Sequence, residues 1–248
     1  MKVLVTGAGG FLGRGLVVPF DGRHDLRLMD IIDWETPHEK LVGDVADLAT
    51  CRRAVKGCQA IILTHMASRQ AGAYETPTIA CDANVKGTAN LFFAGVESGI
   101  KRYVLVSSES VVMAHGVPPR RTRDLPLRAI DLYGLTKVLQ EVIAEHFQRN
   151  FNLQVAALRA GYILSAEVRD HVVDKYGTHI RERNPPCTER RDVGLAARLA
   201  LELPDLGYEV FHVLGAPEAV NVYDVEYTCG RLGWKPQYDF TWLPAAPG

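Results

Sequence analysis

The chain has 248 residues, 47% of them hydrophobic and 23% charged, with a formal net charge of -1. Near-neutral charge argues against nucleic acid or an acidic membrane as the main partner, because both select a basic surface. No apolar run reaches the length that crosses a bilayer, no leader pattern precedes the first β-type run, and the eight histidines lack any metal-ligand spacing. A soluble, cytoplasmic protein without a metal site is expected. The five cysteines form no Cys-x-x-Cys pair and read as reduced core residues.

Short apolar runs alternate with helical patterns in chain order. Val3–Val5 opens the series, a helix is expected over 11–20, and Leu26–Met29 and Lys40–Val42 follow as strands. A helix at 47–56, a strand at Ala60–Leu63, a long helix at 77–98 and a strand at Tyr103–Val106 come next. The last regular units are a helix at 132–149, strands at Leu153–Leu158 and Tyr208–Leu214, and helices near 192–203 and 221–232. Apolar runs without strict alternation suit strands covered on both faces. The βα order therefore predicts a doubly wound α/β protein with a parallel sheet and ligands at the carboxyl ends of its strands. Residues 160–190, rich in charge and Pro, read as loop or lid.

Thr6-Gly7-Ala8-Gly9-Gly10-Phe11-Leu12-Gly13 lies between the first strand and the helix it opens. Gly7, Gly10 and Gly13 provide the small residues that a tight turn, close approach to a diphosphate and helix–strand packing require. Asp30 ends the second strand, where a carboxylate holds ribose hydroxyls and repels a 2′-phosphate, so NAD is favoured over NADP. Asp33 is a rival for that role, and Arg14 is placed to meet a phosphate instead. Asp44 and Val45 are placed to bracket the adenine; Asp44 serves equally as a helix N-cap. Residues 1–160 thus read as an NAD-binding Rossmann domain. Residues 161–248 read as a small substrate-binding cap interwoven with the main sheet.

Tyr133 and Lys137 stand at i and i+4 on one helix face. Tyrosine, with an unperturbed pKa of roughly 10, is a poor base at neutral pH until a neighbouring cation favours the phenolate. It then accepts a proton from an alcohol as hydride leaves carbon. Ser107-Ser108-Glu109-Ser110 follows the fifth strand run; Ser108 is the choice for holding the reacting oxygen, with Ser107 and Ser110 structural. Asn84, on the long helix, serves either a structural hydrogen bond or the cofactor site.

These residues together resemble the extended short-chain dehydrogenase/reductase superfamily, also called the NAD-dependent epimerase/dehydratase family. The resemblance is carried by the glycine loop, Asp30, Gly43-Asp44-Val45, Asn84 through Thr88, Lys101 through Ser108, and Tyr133 through Lys137, with Arg159 and Arg191-Asp192-Val193 further on. It implies a Ser108/Tyr133/Lys137 triad, NAD as cofactor, and a homodimer formed through the two long helices. Nucleotide-sugar members carry Asn where Tyr162 stands, and Val-Tyr-Gly where this chain has Val111-Val112-Met113. Compact uronate dehydrogenases share the small cap, but follow their serine with Asn-His rather than Glu109-Ser110. The expected substrate is a sugar, uronic acid or similar small polyol, met by Ser68, Ser108, Glu109, Tyr162 and Arg169. His65, after the fourth strand, is expected at the cofactor, with loop hydrogen bonding as its alternative. The other readings are a nucleotide-sugar 4-epimerase and a non-catalytic NAD-binding sensor or scaffold.

Overall fold

The apolar runs close into one sheet in a computed structural model, which describes residues 1–67, 76–115, 120–168 and 171–246. In chain order the first strands are β1 (Lys2–Thr6), β2 (Asp25–Asp30), β3 (Glu39–Val42), β4 (Ala60–Leu63), β5 (Arg102–Ser108) and β6 (Gln154–Ala160). Short strands β7 (Tyr162–Leu164) and β8 (Cys187–Glu189) follow, then β9 (Tyr208–Val213). The main sheet has the order β3-β2-β1-β4-β5-β6-β9, and every pairing in it is parallel. The order reverses between β1 and β4, which opens a crevice at their carboxyl ends.

Alternation along each strand feeds two cores. Val3, Val5, Leu26, Leu28, Ile62, Val104 and Phe211 point to one side, where α1 (Phe11–Leu16), α6 (Arg190–Glu202) and α7 (Val225–Leu232) cover them. Leu4, Met29, Ile61, Leu63, Tyr103 and Leu105 point to the other, under α2 (Leu48–Val55), α4 (Gly87–Glu97) and α5 (Leu132–Phe151). Both faces are apolar because both are covered, which explains why the strands read as continuous hydrophobic runs.

The structure refines three expectations. The helix expected over 11–20 stops at Leu16 and gives way to a 3₁₀ turn at Val18–Phe20, since Pro19 has no N–H to continue the ladder. The helix expected over 77–98 comprises α3 (Pro77–Ala80), a π-helical segment at Cys81–Lys86, and α4. The stretch 160–190 contains β7 and β8, which pair with each other. Around them Leu164, Val172, Cys187, Ala216 and Phe240 form a third, small core, whereas α6 and β9 pack into the layers of the main sheet.

Cys51, Cys58 and Cys187 are buried, but Cys81 is exposed on the π segment, contrary to its expected place in the core. Among the described residues no helix is long and apolar enough to cross a membrane. None of their His, Cys, Asp and Glu side chains cluster in a way that could hold a metal.

Candidate active site

The glycine loop shows three different reasons for its glycines. Gly7 has φ +72°, and a Cβ there would lie 2.7 Å from the backbone of His65. A Cβ on Gly13 would lie 2.3 Å from the Gly7 carbonyl oxygen, so this position lets α1 pack against the turn. At Gly10 a Cβ would meet the protein only at 3.4 Å, an ordinary contact. Packing within the protein does not demand that glycine; close approach by a diphosphate does. Gly10 is also the N-cap of α1 and brings no side-chain bond to the first turn, whose N–H groups remain oriented for an anion. Phe11 and Leu12 are half-buried in that turn.

Asp30 reaches this loop directly. Its Oδ2 accepts from the Gly9 N–H at 2.9 Å and its Oδ1 from Ile32 N–H at 3.3 Å. Asp33 instead pairs with Lys40, which keeps its carboxyl below the usual range and turns it from the loop. Arg14 donates to the Gly9 carbonyl at 2.8 Å, bracing the loop from behind. A carboxylate beside the loop fits NAD and disfavours a 2′-phosphate. Asp44 is exposed and accepts from Ala46 N–H at 2.8 Å. The N-cap of α2 is Asp47, which accepts from Ala49 and Thr50. Val45, expected against the adenine, is buried beside Gly87, where a Cβ would come within 2.5 Å of its methyl.

The inner face of α5 carries the candidate centre. Tyr133, Lys137 and Glu141 recur at i, i+4 and i+8, one above the other. Lys137 is buried and donates to the Val106 carbonyl of β5 at 2.9 Å. Glu141 accepts from Ser107 Oγ at 2.5 Å and from Arg159 Nε and Nη2 at 3.1 and 2.9 Å. Ser107 is therefore a structural residue, pinning β5 to α5. Ser108 is half-buried at the strand end, and its Oγ accepts from the Ser110 N–H at 3.2 Å. With one lone pair engaged, the hydroxyl proton is left to donate. Gly134 lets the two elements meet, since a Cβ there would stand 3.1 Å from the Ser110 carbonyl and 2.9 Å from Ala129.

Two buried polar chains fix α5 against the loop after β4. Asn84 accepts from Ala67 N–H at 2.7 Å and donates to Thr136 Oγ1 at 2.9 Å. Each end of its amide thus makes one bond within the protein, and together they hold the first turn of α5 against the loop after β4. His65 stands between Thr6 Oγ1, 2.8 Å from Nδ1, and Thr88 Oγ1, 3.3 Å from Nε2. Gln140 donates to Thr88 at 2.7 Å, which leaves the Thr88 proton for Nε2. Burial, with the charge of Lys137 beside it, holds His65 far below the usual range, at about 3. Its ring is a neutral strut, the loop hydrogen-bonding alternative.

Of the expected substrate contacts, Tyr162 is 38% exposed on β7 and donates its hydroxyl to Asp174 at 2.8 Å; burial and that carboxylate push its phenol up. Ser68 and Arg169 lie outside the described residues. Glu109 is turned inward, away from the exposed end of the strand, and meets His212 of β9. Sequence reasoning did not single out Glu141 or His212; their signal, spacing of four from Lys137 and register with Arg159, becomes legible only with the sheet order known.

The sequence model of the NAD dependent epimerase/dehydratase family matches residues 3–196. The chain belongs to that family. Among curated relatives it is 25% identical to the NAD-dependent glucose-6-phosphate dehydrogenase of Haloferax volcanii, over 95% of this chain and 92% of that one. It is 36% identical to a 3-beta-hydroxysteroid dehydrogenase of Mycolicibacterium neoaurum, but over 56% of this chain and 41% of that protein's length. Among solved structures it is similar to a glucuronic acid dehydrogenase from Chromohalobacter salexigens, with a TM-score of 0.78 and 25% identity over 97% of this chain and 86% of that one.

Proposed function

We propose that the protein is an NAD-dependent dehydrogenase acting at a hydroxyl-bearing carbon of a free sugar, uronic acid or similar small polyol. The observation that carries this is the inner face of α5, where Lys137 donates to the Val106 carbonyl of β5, two residues before Ser108, and Tyr133 stands one turn before Lys137. Gly7, Gly10, Phe11, Leu12 and Gly13 would hold the diphosphate of NAD, and Asp30 its adenosine ribose, with Asp44 at the adenine. Lys137 and Tyr133 would hold the nicotinamide ribose. Bound NAD supplies the hydride acceptor. Ser108 donates to the reacting oxygen and fixes its direction. Tyr133 accepts the hydroxyl proton, and the Lys137 ammonium one turn away favours the phenolate that does so.

The size of the cap supports a small substrate. Its own core rests on a handful of side chains around Leu164 and Phe240, and Tyr162 stands on β7 beside it. Two relatives that match along nearly the whole chain, by their names, act on glucose 6-phosphate and glucuronic acid, which are of this class. We assign the cytoplasm as compartment and a homodimer as assembly. The exposed Ile79, Phe93, Leu135 and Val142 on α3, α4 and α5 support the latter, and sedimentation equilibrium tests it.

The test is incubation with NAD and a panel of glucuronate, galacturonate, glucose 6-phosphate and L-arabinose, following absorbance of the reduced cofactor. Accumulation with one of them is the expected result. Silence across the panel, with NAD retained by the purified protein, overturns the reading in favour of nucleotide-sugar 4-epimerisation, which gives no net reduction.

A further inference from the structure

Three neighbouring strands carry polar residues at one level of the sheet, on the face that α5 covers. Ser107 of β5 is in register with Arg159 of β6, and Arg159 with His212 of β9. Each is bonded to an acid: Ser107 and Arg159 to Glu141, His212 to Glu109. The first half of this belt ties β5 and β6 to the helix that bears Tyr133 and Lys137. The second half ties β9 to the residue directly after Ser108.

The second tie is dry and close. Glu109 is 4% and His212 1% exposed, and the imidazole Nδ1 donates to Glu109 Oε1 at 2.6 Å. Glu109 Oε2 and His212 Nε2 meet no other polar partner, and the ring of Tyr223 packs 5.8 Å from that of His212. An apolar pair of similar volume is commonly as stable as such a buried ionisable pair, or more so. Stability alone therefore gives no reason for these two residues.

Position does. The 3₁₀ segment Glu109–His115 is braced on its other side, where Ser110 lies against Gly134 and Arg128 bonds Val111 and Ala114. A pull from β9 at residue 109 opposes that brace and sets the peptide on which Ser108 is mounted. We propose that the Glu109–His212 hydrogen bond is a positioning device that fixes the Ser108 hydroxyl relative to Tyr133. Glu109 is by this account a positioning residue and not a substrate contact. The inference rests on Ser108 serving the reaction proposed above.

The test compares Glu109→Gln with the double variant Glu109→Leu/His212→Leu. The amide oxygen of Gln still accepts from Nδ1, so Glu109→Gln keeps turnover within about threefold of wild type on the best substrate of the panel. The double variant folds with an unchanged melting temperature and unchanged affinity for NAD, yet its kcat falls by about 10- to 100-fold, the scale of losses from a misplacement of about 1 Å. Wild-type kcat in a stable double variant overturns the proposal, because a packing role alone is met by the leucines. The crystal structure of the double variant is a second readout that needs no substrate. A displaced Ser108, with its bond from Ser110 N–H lost, supports the proposal, and an unmoved Ser108 overturns it. A wild-type protein silent on the whole panel contradicts the sugar dehydrogenase reading and leaves this structural comparison to decide.

Discussion

At the scale of single residues, the proton that His65 refuses and the carboxylate of Asp30 have consequences that can be measured. His65 is neutral in the fold and holds off its proton until about 3, against 6.5 in the free side chain. The unfolded chain therefore takes up a proton that the folded chain refuses. Stability from this site is complete above about pH 6.5 and is lost as the pH falls toward 3. His65→Gln, whose amide can bridge Thr6 and Thr88, is expected to flatten the pH dependence of chemical denaturation between pH 6.5 and 4; an unchanged slope contradicts the buried neutral assignment. Asp30 already accepts from Gly9 and Ile32 and holds the ribose in the proposed complex. Asp30→Ala should weaken NAD about 10- to 100-fold, the worth of charge-assisted hydrogen bonds. It should weaken NADP far less, because a repulsion is removed at the same time. Equal losses for both cofactors, read by calorimetry, would count against the role given to Asp30.

At the scale of elements, the regular units were legible from sequence to within a few residues, because apolar runs and helical periods follow directly from burial on both faces of a sheet. The glycine loop and the Tyr133–Lys137 pair were legible too, since their chemistry is local. Non-local geometry was not. Nothing in the periodicity of 77–98 announces the π segment that swings Asn84 inward onto Ala67 and Thr136. Asn84→Ala leaves the Ala67 N–H and Thr136 without that partner, so a loss of about 1–3 kcal/mol in unfolding free energy is expected, with a larger drop in kcat than in NAD affinity. A neutral effect on stability would refute the strut. The tail is held in a similar way: Asp192, at the start of α6, accepts from Gln237 and Tyr238 N–H groups at 2.9–3.0 Å. Burial pushes its carboxyl up to about 6 against those bonds. A raised carboxyl pKa means that the folded chain keeps its proton longer, so this site costs stability as pH rises from about 4 to 6. Asp192→Asn should accordingly be more destabilising at pH 4 than at pH 7, by about 1–3 kcal/mol, and the opposite order would contradict the assignment.

At the scale of the whole molecule, the sheet order explains why residues far apart in the chain act together. The reversal between β1 and β4 places the glycine loop, the loop after β4 and the end of β5 along one crevice. On the face covered by α5, Lys137 binds Val106 of β5, and Glu141 joins Ser107 of β5 to Arg159 of β6. The inward turn of Glu109 was illegible in sequence for the same reason: its partner, His212, is 103 residues away. One departure from nucleotide-sugar enzymes, Tyr162, stands on β7 beside the third, small core, while the glycine loop and Asp30 keep the family's pattern. That division fits a shared hydride chemistry applied to a smaller substrate. Tyr133 as the base at this centre is the central claim, and the most direct measurement compares turnover and NAD binding in Tyr133→Phe with wild type. Removing the phenolic hydroxyl leaves α5, Lys137 and the loop in place. The account predicts that kcat falls about 100- to 10,000-fold, the contribution of a general base, while NAD affinity falls no more than about tenfold, the worth of one hydrogen bond to the ribose that Lys137 still holds. Turnover retained within a few-fold would contradict it.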